Sequence, residues 1–162
     1  MKWKSIYNLM LLLLLTACTA ESQKEQLIRQ EENIEKYIAQ QITLKRVKAD
    51  SVFNIDGVYR LVITSGVGKE AASGDSVIFH YRASDFNTNV YYDSTGVSPE
   101  RGILGAGNYI SGLEKGLRGM RTNEYAEILL TGEQAYGNMS MGILAPYTPV
   151  KFEVKMLNVK NN

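Results

Sequence analysis

The sequence holds one cysteine, Cys18, and one histidine, His80, among 162 residues. A single cysteine excludes an internal disulfide, and the pair together cannot build a Cys/His metal cluster. Cys–His nucleophilic catalysis would need the two to meet, and Cys18 lies in a leader-like segment far from His80. His80 falls mid-strand beside Tyr81 and reads as a surface or packing residue. No convincing nucleophile–base pair occurs elsewhere. Charge of one sign is also lacking. Eighteen basic residues stand against 17 acidic ones, scattered along the chain, which gives no field to attract nucleic acid. Gly105-Ala106-Gly107 has neither the strand–GxGxxG–helix context nor a Walker lysine. Hydrolysis and phosphoryl transfer are therefore poorly supported.

Long hydrophobic runs are missing too. The stretch Met10–Leu15 is wholly apolar but far short of the about 20 residues that span a bilayer. With Lys2 and Lys4 before it and Leu15-Thr16-Ala17-Cys18 after it, it has the layout of a secretory leader. The last four residues resemble the bacterial lipobox, cut before a cysteine that is then lipidated. An ordinary leader with a chance cysteine is the plainer alternative. Cleavage removes two lysines, so 16 basic residues remain against 17 acidic ones.

What is there divides into three parts. Residues 1–17 are the expected signal peptide. Residues 18–56 are expected as a lipid-anchored helical spacer. Leu27, Ile34, Ile38 and Ile42 approach helical spacing and no Gly or Pro interrupts, so a helix is expected over Glu21–Gln41. Its apolar stripe is thin, which suits a spacer lifting the domain off a membrane; a dimerising helix is the other reading. Residues 57–162 carry strand patterns. Val58–Thr64 is rich in β-formers, Val77, Phe79 and Tyr81 share one face, and Val90–Asp93 is strand-like. Tyr125–Thr131 puts Ala126, Ile128 and Leu130 on one face. Val150–Leu157 alternates, with Val150, Phe152, Val154 and Met156 inward. Between them Ser111-Gly112-Leu113-Glu114 has capping-box spacing and opens a helix of about two turns. The fold class is α+β.

The loop Ala135–Pro146 is apolar where loops are normally polar. It carries Tyr136, Met139, Met141, Ile143 and Leu144, and Gly137 and Gly142 break regular structure. It is either the lip of a pocket or a buried connection. A pocket lined by Tyr81, Tyr92, Ile110, Leu113, Tyr136, Ile143, Leu144 and Phe152, with Asp93 beside it, suits an apolar peptide or small molecule.

The order Gly74-Asp75-Ser76-Val77, His80-Tyr81, Tyr92-Asp93-Ser94, Leu104-Gly105, Ile110–Leu117 with Met120, Ala135-Tyr136-Gly137, Gly142-Ile143 and Phe152-Glu153-Val154 resembles an FKBP-type peptidyl-prolyl isomerase. The resemblance runs from Gly57 to about Lys160. It implies a curled antiparallel sheet of five or six strands around one short helix, here preceded by the N-terminal helix. It implies catalytic roles for Tyr81, Asp93, the Ile110 N–H and Tyr136. Tyr92, Tyr109, Leu113, Ile143, Leu144 and Phe152 would bind substrate. It implies no cofactor or metal, a monomer, and proline-containing segments of folding proteins as partners. With lipidated Cys18 it implies a lipoprotein of the bacterial envelope, in the outer membrane facing the periplasm. The rim is expected to take an apolar residue before proline and to reject Glu there. Leu113 stands where many members have Trp. Glu100-Arg101-Gly102 stands where an aromatic is common. A non-catalytic peptide-binding chaperone of the same fold is the alternative.

Overall fold

The computed structural model describes the backbone of residues 2–161 and the side chains from Ser22 onward. The expected leader and Cys18 lie outside the residues described in full. Helix α1 spans Lys2–Thr43. Nine strands follow: β1 Val52–Ile55, β2 Val58–Thr64, β3 Val67–Glu70, β4 Ser76–Asp85, β5 Tyr91–Ser94, β6 Glu100–Ile103, β7 Arg121–Thr122, β8 Tyr125–Leu130 and β9 Val150–Lys160, with α2 Ser111–Leu117 between β6 and β7. Seven strands make one antiparallel sheet in the order β1-β2-β8-β9-β4-β5, and β6 also pairs with β4. β3 and β7 form a separate two-stranded ladder.

The fold class is α+β, with the sheet curled around α2. The sheet gains β1, which precedes the expected domain boundary at Gly57. Asp56 and Gly57 both adopt positive φ, at 50° and 81°, and Ile55 pairs with Val58 across them. That is the two-residue hairpin turn that Asp-Gly favours.

The inner face of the sheet buries Val58, Val77, Phe79, Ile128, Val150, Val154 and Met156 against Leu113 and Leu117 of α2. Two glycines let α2 approach this closely. A Cβ on Gly116 would lie 2.4 Å from Ile128 Cγ2, and one on Gly112 2.3 Å from the Gln134 carbonyl. The N-cap lies one residue before the expected one, Ser111. Ile110, with φ −58° and ψ 145°, is the N-cap residue, and its carbonyl accepts from Glu114 N–H. Ser111 is already helical, so the expected capping box does not form. The far end of α2 is tied by Arg60 of β2, whose Nη1 donates to the carbonyls of Gly116 and Arg118.

The outer face of the sheet is covered as well, by α1. Ile34 is fully buried and Ile38 nearly so, packed on Tyr59, Leu61 and Leu129 with Val47 alongside. Tyr37 rests edge-on against Phe86 and donates its hydroxyl to Glu127 Oε2 at 2.8 Å. Gln30, 8% exposed, uses both ends of its amide. Its Oε1 accepts from Gly132 N–H and its Nε2 donates to the Tyr147 carbonyl, each at 2.8 Å. The stretch expected to be a free spacer is therefore part of the packed body from Gln30 on. A stripe too thin to hold a helix in water is wide enough to dock one, because the sheet supplies the remaining apolar surface.

Candidate functional site

A cavity of about 240 Å³ opens between α2 and the sheet. Leu113, 4% exposed, forms its floor. Tyr81 of β4 and Phe152 of β9 make one wall, their ring centroids 5.7 Å apart. Tyr109, in the segment leading into α2, makes another and stands edge-on to buried Phe79 at 5.4 Å. The Tyr109 ring occupies the space above Gly102, where a Cβ would lie 2.3 Å from the phenol oxygen. Only glycine at 102 leaves Tyr109 this position. The hydroxyl is buried and finds no hydrogen-bond partner among the described residues. Burial first, and then the charge of Glu100, push its phenol up to about 12.

β5 brings Asp93 to the rim. Its Oδ2 accepts from the Tyr81 hydroxyl at 2.7 Å, and its Oδ1 accepts from Ser94 N–H at 2.8 Å. Burial, followed by this bond to Asp93, raises the Tyr81 phenol well above its ordinary range. Tyr81 is thus a neutral donor at any physiological pH. Tyr136, five residues into the loop after Thr131, sits opposite. Its hydroxyl is 3.2 Å from that of Tyr92, with the rings edge-on at 6.1 Å. Burial raises both phenols, so this pair also stays neutral. The Ile110 N–H makes no hydrogen bond among the described residues, because it lies at the N-cap where helix amides have no partner.

Of the ten residues expected here, the structure gathers Tyr81, Asp93, Tyr109, Ile110, Leu113, Tyr136 and Phe152 around one cavity. Tyr92 reaches it through Tyr136. The other two are placed differently. Leu144 is buried in the main core, and Ile143 is 68% exposed. The reason is a tight turn: Met141 and Leu144 exchange both backbone hydrogen bonds, and Gly142 supplies φ 58°. The turn points Leu144 inward and leaves Ile143 at its tip. Met139 and Met141 are also exposed, and neither they nor Ile143 line the cavity.

Glu100 and Asn108 line the cavity without having been expected. Glu100 stands where an aromatic is common, and that mismatch is the signal that marks it. Among the described residues no group of three His, Cys, Asp or Glu is placed to hold a metal. Nor is any described helix long and apolar enough to cross a membrane. His80 points away from the cavity and meets Thr95 Oγ1 at 2.9 Å. Two larger hollows lie elsewhere, around the ion pairs Arg82–Glu153 and Arg60–Glu124, and of the expected site residues they include only Tyr81.

Comparison with known proteins gives one consistent result. Residues 68–157 match the family described as FKBP-type peptidyl-prolyl cis-trans isomerase. FK506-binding protein 1 of Aspergillus oryzae is 32% identical over 115 residues, covering 64% of this chain and 98% of that protein. The Arabidopsis thaliana peptidyl-prolyl cis-trans isomerase FKBP15-3 is 34% identical over 110 residues, 66% of this chain and 77% of its own. FK506-binding protein 2A of Rhizopus delemar is 34% identical over 97 residues, and this chain spans only 58% of its length. The crystal structure of a peptidyl-prolyl cis-trans isomerase from Pseudomonas syringae superposes with a TM-score of 0.64. It covers 85% of this chain and 96% of that one; at 22% identity the likeness speaks for the fold.

Proposed function

Because the chain belongs to the FKBP-type peptidyl-prolyl cis-trans isomerase family, we propose that it speeds rotation about X–Pro bonds in exported proteins as they fold. The observation that carries this reading is a cavity walled by Tyr81, Tyr109, Tyr136 and Phe152 that also offers unspent donors. Rotation about an X–Pro amide faces a barrier of about 18–20 kcal/mol because resonance keeps the bond planar. A twisted amide has lost that resonance and is less polar, so the aromatic walls of the cavity favour it over the planar form. The Ile110 N–H is free to take the substrate carbonyl, and the Tyr136 hydroxyl sits where a second carbonyl can reach it. Holding the twisted state more tightly than either planar state is sufficient for catalysis. No acid, base or nucleophile has to act.

The test is an isomerisation assay on short proline peptides with the purified chain. Acceleration above the uncatalysed rate, blocked by a competing proline peptide, is expected. A well-folded chain that accelerates nothing would overturn the reading. Leu113 as floor and Glu100 in the wall favour a second reading in that event, a peptide-binding module without turnover.

The same proposal holds the protein to the bacterial envelope, at the outer membrane facing the periplasm. The support is Leu15-Thr16-Ala17-Cys18 after a basic start and an apolar run. Cys18→Ser should abolish labelling by a fatty-acid precursor and release the protein from membranes. A variant that stays bound and normally processed would refute the anchor.

A further inference from the structure

The mouth of the cavity is acidic, and we propose that it selects proline segments in which a lysine or arginine immediately precedes the proline. This rests on the reading of the cavity as an X–Pro site. Asp93 and Glu100 both line it, and no Lys, Arg or His does. Among the described residues neither carboxylate takes part in an ion pair. Asp93 is held by the Tyr81 hydroxyl and its neighbour's amide. Glu100 opens β6, in register with Phe79, whose ring braces Tyr109. The charge of Glu100 helps raise the Tyr81 and Tyr109 phenols.

Two carboxylates outside any ion pair among the described residues, lining one cavity with Tyr81, Tyr109 and Tyr136, are chemistry that suits a cation. The carboxylates attract it and the ring faces add to the attraction. An apolar residue before proline would gain little, since Ile143, Met139 and Met141 do not line the cavity. An acidic residue would meet like charge from both carboxylates. The long stem of Lys or Arg can lie along Tyr81 while its head reaches the carboxylates.

The test uses three tetrapeptides, Ala-Xaa-Pro-Phe with Lys, Leu or Glu at Xaa, and the purified chain at low salt. The expected order of kcat/KM is Lys above Leu above Glu, with about two- to fivefold contributed by each carboxylate. About 0.5 M salt should compress the order toward equality. Glu100→Gln and Asp93→Asn should each lower the Lys-to-Leu ratio, and Glu100→Lys should invert the Lys-to-Glu order. Equal rates for Lys and Leu, or ratios unmoved in Glu100→Gln, would overturn the selection and leave the isomerase reading intact. If none of the peptides is accelerated, the isomerase reading fails. The binding order of the same peptides, followed by fluorescence titration, then decides the selection on its own.

Discussion

Replacing Ile34 by alanine is the most direct test of how α1 relates to the rest of the chain. Ile34 is fully buried, on a helix whose next turn buries Ile38, and its contacts are Tyr59, Leu61 and Leu129 of the sheet. Ile34→Ala removes three carbons from that interface. Transfer alone is worth about 0.8 kcal/mol for each, and the cavity left behind brings the total to about 2–5 kcal/mol. In a chain of this size about 3 kcal/mol lowers Tm by roughly 6–12 °C. Had α1 been a free spacer, Ile34 would be a solvated helix residue. Alanine would then cost nothing or add a few tenths of a kcal/mol through helix propensity. Ile28 on the same helix is 45% exposed and serves as control, with an expected change within about 0.5 kcal/mol. The measurement is urea unfolding of the purified chain followed by circular dichroism. If the Ile34 and Ile28 variants melt alike, the docked helix is refuted. Two separate transitions would likewise show that α1 and the sheet do not unfold as one unit.

Gln30→Leu strips partners from the buried Gly132 N–H and from the Tyr147 carbonyl, and should cost about 1–3 kcal/mol in the same melts; no change would show that the amide is replaced by water. Tyr136→Phe keeps the ring and removes the hydroxyl, so isomerisation should fall roughly 2–13-fold while the melt moves by less than about 1 kcal/mol. A lost melt with an unchanged rate per folded molecule would make Tyr136 a packing residue. Gly116→Ala drives a methyl into Ile128 and should destabilise by about 1–3 kcal/mol, checked by thermal denaturation. Raised phenols make stability fall at high pH. Tyr37, Tyr81, Tyr92 and Tyr136 hold their protons longer in the folded chain than in the unfolded one. Their stabilisation is fully present below a pH of about 10 and is lost as pH climbs toward the folded-state values. Tyrosinate absorbance should therefore lag that of free tyrosine and then rise together with unfolding.

The strands that could be read in advance are those with one buried face. β9 alternates through Phe152, Val154 and Met156, with Glu153 and Lys155 half-buried between them although Lys151 is buried, and β4 alternates through Val77, Phe79 and Tyr81. The cavity residues were legible where they sit on such strands or at the entrance to α2. What escaped notice follows from two-sided burial. Val58–Leu61 and Ile128–Leu130 are buried at every position, so period-two counting assigns only one of their faces. The consecutive Ile128-Leu129-Leu130 was the mark of a covered outer face. Gln30 and Gln41 are buried on α1 although glutamine reads as solvent-facing, which made the docking stripe look narrower than it is. Ile143 was misplaced because a two-residue turn reverses the chain there, and side-chain direction in such a turn depends on φ and not on apolar pattern.

The strand order also governs when the molecule can come into being during synthesis. β8 and β9, the middle of the sheet, are its last strands to be made. Before Val150–Lys160 leaves the ribosome, the β1–β2 hairpin and the β4–β5–β6 group have nothing to join them, because β9 alone pairs with both β4 and β8. α1, made first, waits for Leu129 and for the Gly132–Tyr147 segment that Gln30 bridges. Such long-range closure slows folding and leaves strand edges open to other chains in the interval. A chain that stalls or is truncated a dozen residues short of its end would hold nearly all its sequence yet lack the strand that joins the two halves of its sheet.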